Sequence, residues 1–213
     1  MSPFCQVLFL FNLNRLNCCP YPENHGLDCN TLGNFRPISN LPFVSEVLER
    51  VVLGQLIDHL CENNLLEEKQ SAYREGHSVE TAVLSVLDGL LTNADKKLIA
   101  VTALLDLSAA LDTLDHSILL RDLRQHLVLV EPFVTGFTSY VSERFQSVTT
   151  NGSVSDRCPL LYGVYQGSVL GTVLLTLYAQ PLSDAISQHS DCSFHKYADD
   201  TELSQCGLPR DFE

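Results

Sequence analysis

The stretch Phe194-His195-Lys196-Tyr197-Ala198-Asp199-Asp200-Thr201-Glu202-Leu203-Ser204 reads as a strand, a tight turn at Asp199-Asp200 and a second strand. Adjacent carboxylates at a hairpin tip repel one another unless a cation lies between them. Upstream, Leu98 to Leu105 is a continuous apolar run suited to a strand buried on both faces, and it ends on Asp106. An aspartate closing such a strand needs something to compensate its charge. If the two strands are neighbours, three carboxylates meet at one end of a sheet and form an oxygen-rich site suited to Mg²⁺. Two such ions a few ångströms apart support in-line phosphoryl transfer, so the pattern points to nucleotidyl transfer. Spacing alone leaves the plainer reading open, in which Asp106 ends a strand and Asp199-Asp200 simply make a turn.

Outward from these strands the chain alternates helical and extended patterns. Val44, Val47, Leu48, Val51, Val52 and Leu56 recur at helical spacing, which predicts an amphipathic helix ending near Asn63-Asn64. A second helix follows Arg74-Glu75-Gly76-His77, with Ser78 as its cap, Glu80 in its first turn, and Val79, Ala82, Val83, Val86, Leu87, Leu90 and Leu91 as its buried stripe. Asp115 caps a helix from His116 to Leu127, a strand runs near Phe145 to Thr150, and Asn151-Gly152 make a turn. The glycine-punctuated loop Gly163 to Gly171 feeds an apolar helix through Leu174, Leu177, Tyr178 and Leu182. Residues 1 to about 34 differ in composition and show no sustained period, so they read as an extension, with a tail after residue 205.

With 213 residues, 45% of them hydrophobic and 18% charged, the chain can bury one good core. Its net charge of -13 suits an acidic enzyme or a cation site and, read alone, argues against a nucleic-acid partner, because phosphate contacts need Lys or Arg. The eight cysteines contain no C-x-x-C pair and read as scattered reduced thiols. His189, Cys192 and His195 are spaced three apart but lack a clear fourth ligand. The apolar run Val7 to Phe11 is too short to span a bilayer, and no membrane association is expected.

Five segments carry a resemblance. Asn34-Phe35-Arg36-Pro37-Ile38-Ser39, Gln70-Ser71-Ala72-Tyr73-Arg74-Glu75-Gly76-His77-Ser78, Leu104-Leu105-Asp106-Leu107-Ser108-Ala109-Ala110-Leu111-Asp112, Gln166-Gly167-Ser168-Val169-Leu170-Gly171 and Tyr197-Ala198-Asp199-Asp200-Thr201 closely resemble, in order, the reverse-transcriptase motifs of LINE-type (non-LTR) retrotransposons. The stretches Asp112 to Leu120 and Ser139 to Arg144 are family-like too. The resemblance implies an α+β right-hand polymerase, with residues 35–205 as fingers and palm and an antiparallel palm sheet backed by helices. It implies RNA-directed DNA polymerase activity with two Mg²⁺ (or Mn²⁺) ions, an RNA template, a DNA primer and dNTPs, in an intracellular setting. The chain stops soon after Asp200, so the thumb is expected to be missing and the fragment inactive alone. A noncatalytic interaction domain that keeps the fold and offers its acidic surface to a basic partner is the alternative.

By the same resemblance Asp106 and Asp199 are the principal metal ligands, with Asp200 as a helper nearer solvent. Arg74 reaches the triphosphate of the incoming nucleotide, its planar fork of donors suiting phosphate oxygens. Gln166 and Gly167 border nucleotide and template, and Arg36 belongs to the fingers near either, unless it is an ordinary surface or turn arginine. Leu111 occupies the position that excludes a ribose 2′-hydroxyl, where the family usually has an aromatic ring. Tyr165 and Thr172 stand where the family usually has prolines that stiffen the loop around Gln166.

Overall fold

The computed structural model describes residues 16–22, 31, 34–127, 129, 131–150, 152–189 and 192–208. In chain order the elements are β1 (Leu16–Pro22), β2 (Phe35–Asn40), α1 (Phe43–Glu62), α2 (Val79–Asp95), β3 (Ile99–Leu105), α3 (Ala110–Thr113), α4 (His116–Gln125) and α5 (Glu131–Val141). They continue with β4 (Phe145–Thr150), β5 (Ser153–Val154), β6 (Cys158–Pro159), α6 (Val169–Tyr178), α7 (Gln180–Ser187), β7 (Cys192–Tyr197) and β8 (Asp200–Gly207). The chain divides into two compact units, one of Met1–Asn64 with Leu111–Leu174, the other of Leu65–Ala110 with Leu175–Glu213.

The first unit carries a sheet in which β1 pairs antiparallel with β2 and parallel with β4, which in turn pairs with β5 and β6. Leu16–Pro22, where composition shows no period, is thus a paired strand. The core is built by Val52, Leu56, Leu119, Leu123, Phe137 and Leu170, all fully or almost fully buried. Asp115 caps α4, as expected, by accepting from the Ser117 and Ile118 amides at 2.8 and 3.0 Å.

The face of α1 turned to the core departs from the expected stripe. Ser45, Glu49, Val52, Leu56 and Leu60 are buried, whereas Val44, Val47 and Val51 are exposed. The reason is Glu49. Its Oε2 accepts from the amides of Val169 at 2.7 Å and Leu170 at 3.2 Å, the first free donors of α6. Rotating a carboxylate inward to meet that helix start turns the valines out. Burial raises the Glu49 pKa, and the two backbone donors and the Arg144 guanidinium only partly offset it.

The second unit is a three-stranded antiparallel sheet of order β3-β8-β7. Helix α2 packs against β3 and β7, and α7 packs against β7. His195 lines a small cavity with Ser85 and Val86 of α2, whereas its neighbour Lys196 reaches Ser183 of α7, so alternation along β7 puts the two helices on opposite faces. Helix α4 packs on α5 in the first unit. Lys196 is 1% exposed, and its three donors meet Glu67 Oε2 at 3.1 Å, the Ala179 carbonyl at 3.0 Å and Ser183 Oγ at 2.9 Å.

Two expectations fail in this unit. Strand β3 is not buried on both faces: it is the edge of its sheet, and Leu104 is 82% exposed. Of the stripe expected on α2 only Ala82 is buried, with Val79, Val83, Leu87 and Leu91 exposed. An apolar run records suitability for burial and does not supply the partner that would cover it. The Ser78 cap is as expected: its Oγ accepts from Thr81 N at 3.3 Å while Thr81 Oγ1 accepts from Ser78 N at 2.8 Å, a reciprocal box. The helical stretch Val169–Ser187 is long and apolar enough to cross a membrane, but Leu170, Val173, Leu174, Leu175 and Leu177 are buried inside the protein.

Replacing Glu49 tests the link between α1 and α6. Glu49→Ala leaves the Val169 and Leu170 amides without their acceptor and is expected to cost on the order of 1–3 kcal/mol in urea unfolding. The folded pKa of Glu49 lies above its ordinary value of 4.5, so the folded state binds the proton more tightly than the unfolded one. This contribution is present below the unfolded value and is lost as pH rises through the folded one. Stability of the wild-type chain therefore falls over that window relative to Glu49→Gln, as unfolding midpoints across pH will read.

Candidate active site

The register of the second unit places the carboxylates. Leu105 pairs with Thr201 and Tyr197 with Asp200, so Asp106, one residue beyond β3, stands across from Asp200 at the same end of the sheet. Asp199 lies in the two-residue turn between β7 and β8. The three acids are close enough to interact: burial, then Asp199, then Asp106 raise the Asp200 pKa. Tyr73 lies by the same end, its phenol pushed up by burial and by Asp199.

Repulsion of this kind is what a shared cation relieves, and carboxylate oxygens suit a hard divalent ion, so the donor set fits the metal that the chemistry implies. Among the described residues, however, no three His, Cys, Asp or Glu side chains are drawn together tightly enough to form a metal-holding group. The acids sense one another without closing on a common point. The His189, Cys192 and His195 spacing forms no such group either, and His195 Nε2 lies 2.9 Å from Ser71 Oγ. Burial and Lys69 lower the His195 pKa.

The turn that carries Asp199 is strained. Ala198 has φ +57°, a left-handed conformation that costs an L-residue roughly 1–2 kcal/mol and that Gly or Asn adopts more readily. Both of its backbone polar groups are engaged by one buried side chain, Gln70. Gln70 Oε1 accepts from Ala198 N at 3.0 Å and from Ala72 N at 2.9 Å, and Nε2 donates to Ala198 O at 3.1 Å. Gln70 was not among the residues singled out from the sequence. Arg74 is half-buried in the same unit, donating from Nη1 to the Glu67 carbonyl at 3.0 Å.

An open groove of about 410 Å³ lies between α2 and the carboxylate end of the sheet, lined by Val83, Leu87, Leu104, Asp106, Tyr197 and Asp200 among others.

The remaining expected residues belong to the first unit. Leu111 is half-buried in α3, and Arg36 is exposed in β2 opposite Tyr21. Gln166 donates from Nε2 to Asp112 Oδ2 at 2.9 Å, and its carbonyl accepts from Ser39 N at 2.9 Å. Gly167 has φ +100°, and a Cβ there would stand 3.4 Å from the Ser39 carbonyl oxygen. Gln166 lines an open cavity of about 500 Å³ bordered by Ser39, Asp112, Gln146 and Tyr162 to Tyr165.

Prolines are absent from this loop, yet it is anchored. Tyr165 is buried edge-on against Tyr140, with centroids 5.8 Å apart, and the Arg144 guanidinium lies over both rings. Ser168 Oγ accepts from Gly171 N at 2.7 Å and lies 2.9 Å from Tyr140 Oη, capping α6. Gly163 and Val164 donate to the carbonyls of Leu114 and Leu111, each at 2.7 Å, so the loop is sewn to α3 and the residue that follows it.

Comparison with known proteins agrees with this fold. Telomerase of Candida tropicalis, apo and truncated from its C-terminal domain, superposes with TM-score 0.58 at 15% identity over 90% of this chain and 44% of that one. Telomerase of Candida albicans in complex with a TWJ fragment of telomeric RNA gives 0.60 at 15% identity over 91% of this chain and 38% of that one. The fold is therefore that of a polymerase, mixing helices with antiparallel sheet. Residues 22–208 match the family described as Reverse transcriptase (RNA-dependent DNA polymerase), and the chain belongs to it, in its non-LTR retrotransposon branch.

The relatives include the probable RNA-directed DNA polymerase from transposon X-element of Drosophila melanogaster, 29% identical over 81% of this chain. The RNA-directed DNA polymerase from mobile element jockey of the same species is 30% identical over 80% of it. This chain spans 19% of the length of each.

Gly163→Ala tests the seam between loop and helix. At φ +82° an added Cβ would sit 2.7 Å from the Leu111 carbonyl oxygen and 2.8 Å from Asp112 Cα, and neither is a flexible side-chain end. The substitution is expected to destabilise the fold by at least about 2 kcal/mol and to speed amide exchange at Val164, read by denaturant unfolding and hydrogen exchange.

Proposed function

We propose that this chain is the part of a non-LTR retrotransposon reverse transcriptase that holds nucleotide and metal, its fingers and part of its palm. The observation that carries this reading is the register that sets Asp106 across from Asp200 with Asp199 in the adjoining turn. Asp106 and Asp199 are the principal holders of two Mg²⁺ or Mn²⁺ ions, and Asp200 assists. Such ions, when bound, activate the primer hydroxyl and neutralise charge on the leaving pyrophosphate. Arg74 has further donors on its fork beyond the one given to Glu67 and directs them to the triphosphate. Gln166 and Gly167 border the nucleotide and the RNA template, Arg36 contacts one or the other, and Leu111 faces the sugar. RNA template, DNA primer and dNTPs are the partners this reading requires. The chain spans 19% of the length of these relatives, so the reading concerns this segment of such a polymerase.

The net charge of -13 supports a second reading, a noncatalytic domain that binds a basic partner. The two readings separate in a chimera that places these residues into the corresponding segment of the jockey polymerase. RNA-templated, Mg²⁺-dependent primer extension is expected, falling at least about a hundredfold on Asp199→Asn. A well-folded chimera with no extension, or extension indifferent to Asp199, sinks the catalytic reading. In the same chimera Leu111→Phe should sharpen the preference for deoxynucleotides by about 1–3 kcal/mol of differential binding, since the ring fills the space of a 2′-hydroxyl. Equal ribo-to-deoxy incorporation ratios in the two versions would remove Leu111 from the gate.

A further inference from the structure

We infer that Gln70 is a positioning residue for Asp199, acting through the backbone of Ala198. The inference rests on the reading of Asp199 as a metal-binding carboxylate. A single buried amide engages both the N–H and the C=O of Ala198, at 3.0 and 3.1 Å. An amide is planar, so fixing its donor and acceptor against one residue fixes the rotation of that residue's peptide groups, and the next side chain along is Asp199. The demand for support is visible in the turn, where an alanine holds φ +57° between Tyr197 and Asp200.

The base of the clamp is equally well placed. Gln70 forms a parallel bridge with Lys196, with Lys196 N donating to Lys69 O at 2.7 Å and Ser71 N donating to Lys196 O at 3.0 Å. The segment around Gln70 therefore runs beside the strand that leads into the turn. The second acceptor bond of Oε1, from Ala72 N at 2.9 Å, locks the side chain to its own loop. Glutamate at this position would have no donor for the Ala198 carbonyl and would add a negative charge beside three others. The neutral amide is the group that serves both ends without worsening the repulsion.

Hydrogen exchange on the 213-residue chain, with Mn²⁺ alone as the metal probe, provides the test. In Gln70→Met, which keeps volume and removes all three bonds, the Ala198 and Ala72 amides should exchange about tenfold faster while Leu203 and Thr201 keep their protection. Mn²⁺ affinity, read by water proton relaxation, should weaken several-fold, and Ala198→Gly in the same background should restore most of it, because glycine holds the turn without the clamp. Ala198 protection unchanged by Gln70→Met, or a loss of Mn²⁺ affinity that Ala198→Gly does not repair, overturns the inference. A Gln70→Met chain that fails to fold is compared in the Ala198→Gly background; failure there too means that Gln70 supports more than the turn and also overturns it. If the wild-type chain binds Mn²⁺ no better than Asp199→Asn, the metal reading falls and the functional half of this inference falls with it, while the exchange data still decide whether Gln70 holds Ala198.

Discussion

Like charges at the end of a sheet impose the constraint on which the rest of the second unit depends. Asp106, Asp199 and Asp200 are brought to one end of the sheet by strand register, and burial, then Asp199 and Asp106, raise the Asp200 pKa. A sheet does not tolerate such a cluster for free, and the surroundings show how the cost is contained. The turn is set in a strained conformation that separates Asp199 from the paired residues, a neutral amide fastens the strained residue, and the one buried cation of β7 is engaged elsewhere. Lys196 points away from the acids into Glu67, Ala179 and Ser183. A lysine turned toward the acids would neutralise their negative field.

In each unit a buried charge is met by polar groups of a different element. In the first unit Glu49 of α1 meets the amide donors that open α6; in the second, Lys196 of β7 meets the last carbonyl before α7 and a hydroxyl within it. Removing either partner from such an arrangement strands a charge in low dielectric, which is far more costly than the pair is favourable. These contacts therefore set which face of a helix or strand turns inward, beyond what apolar periodicity dictates.

That explains what was and was not legible in the sequence. The β7–β8 hairpin, the strand leading to Asp106, the Ser78 and Asp115 caps and the strand at Phe145 all follow from short-range chemistry, and the structure has them, with the hairpin turn at Ala198-Asp199 one residue earlier than the expected Asp199-Asp200. The buried stripes of α1 and α2 were misread because apolar residues at helical spacing were assigned to the core without a covering partner, and because a glutamate is the last residue one assigns inward. Gln70 opens the segment Gln70 to Ser78, but an amide that clamps a peptide 128 residues away leaves no periodic trace. Positive φ at an alanine is likewise invisible from sequence.

The departures from the family pattern also resolve differently at different places. A proline before Gln166 would stiffen the loop through a fixed φ, a covalent constraint that acts on the folded and unfolded chain alike. Tyr165 stiffens it through packing instead, sandwiched with Tyr140 beneath Arg144, and this constraint exists only once the fold has formed. The loop is then as well anchored in the native state while costing more conformational entropy to reach it. At Leu111 the backbone carbonyl is held by Val164, but a hydrogen bond to the backbone does not supply the side-chain volume of an aromatic ring. Of the two changes, the one at position 165 is therefore compensated by the packing of its neighbours, whereas the ring volume absent at position 111 is not restored by a backbone contact.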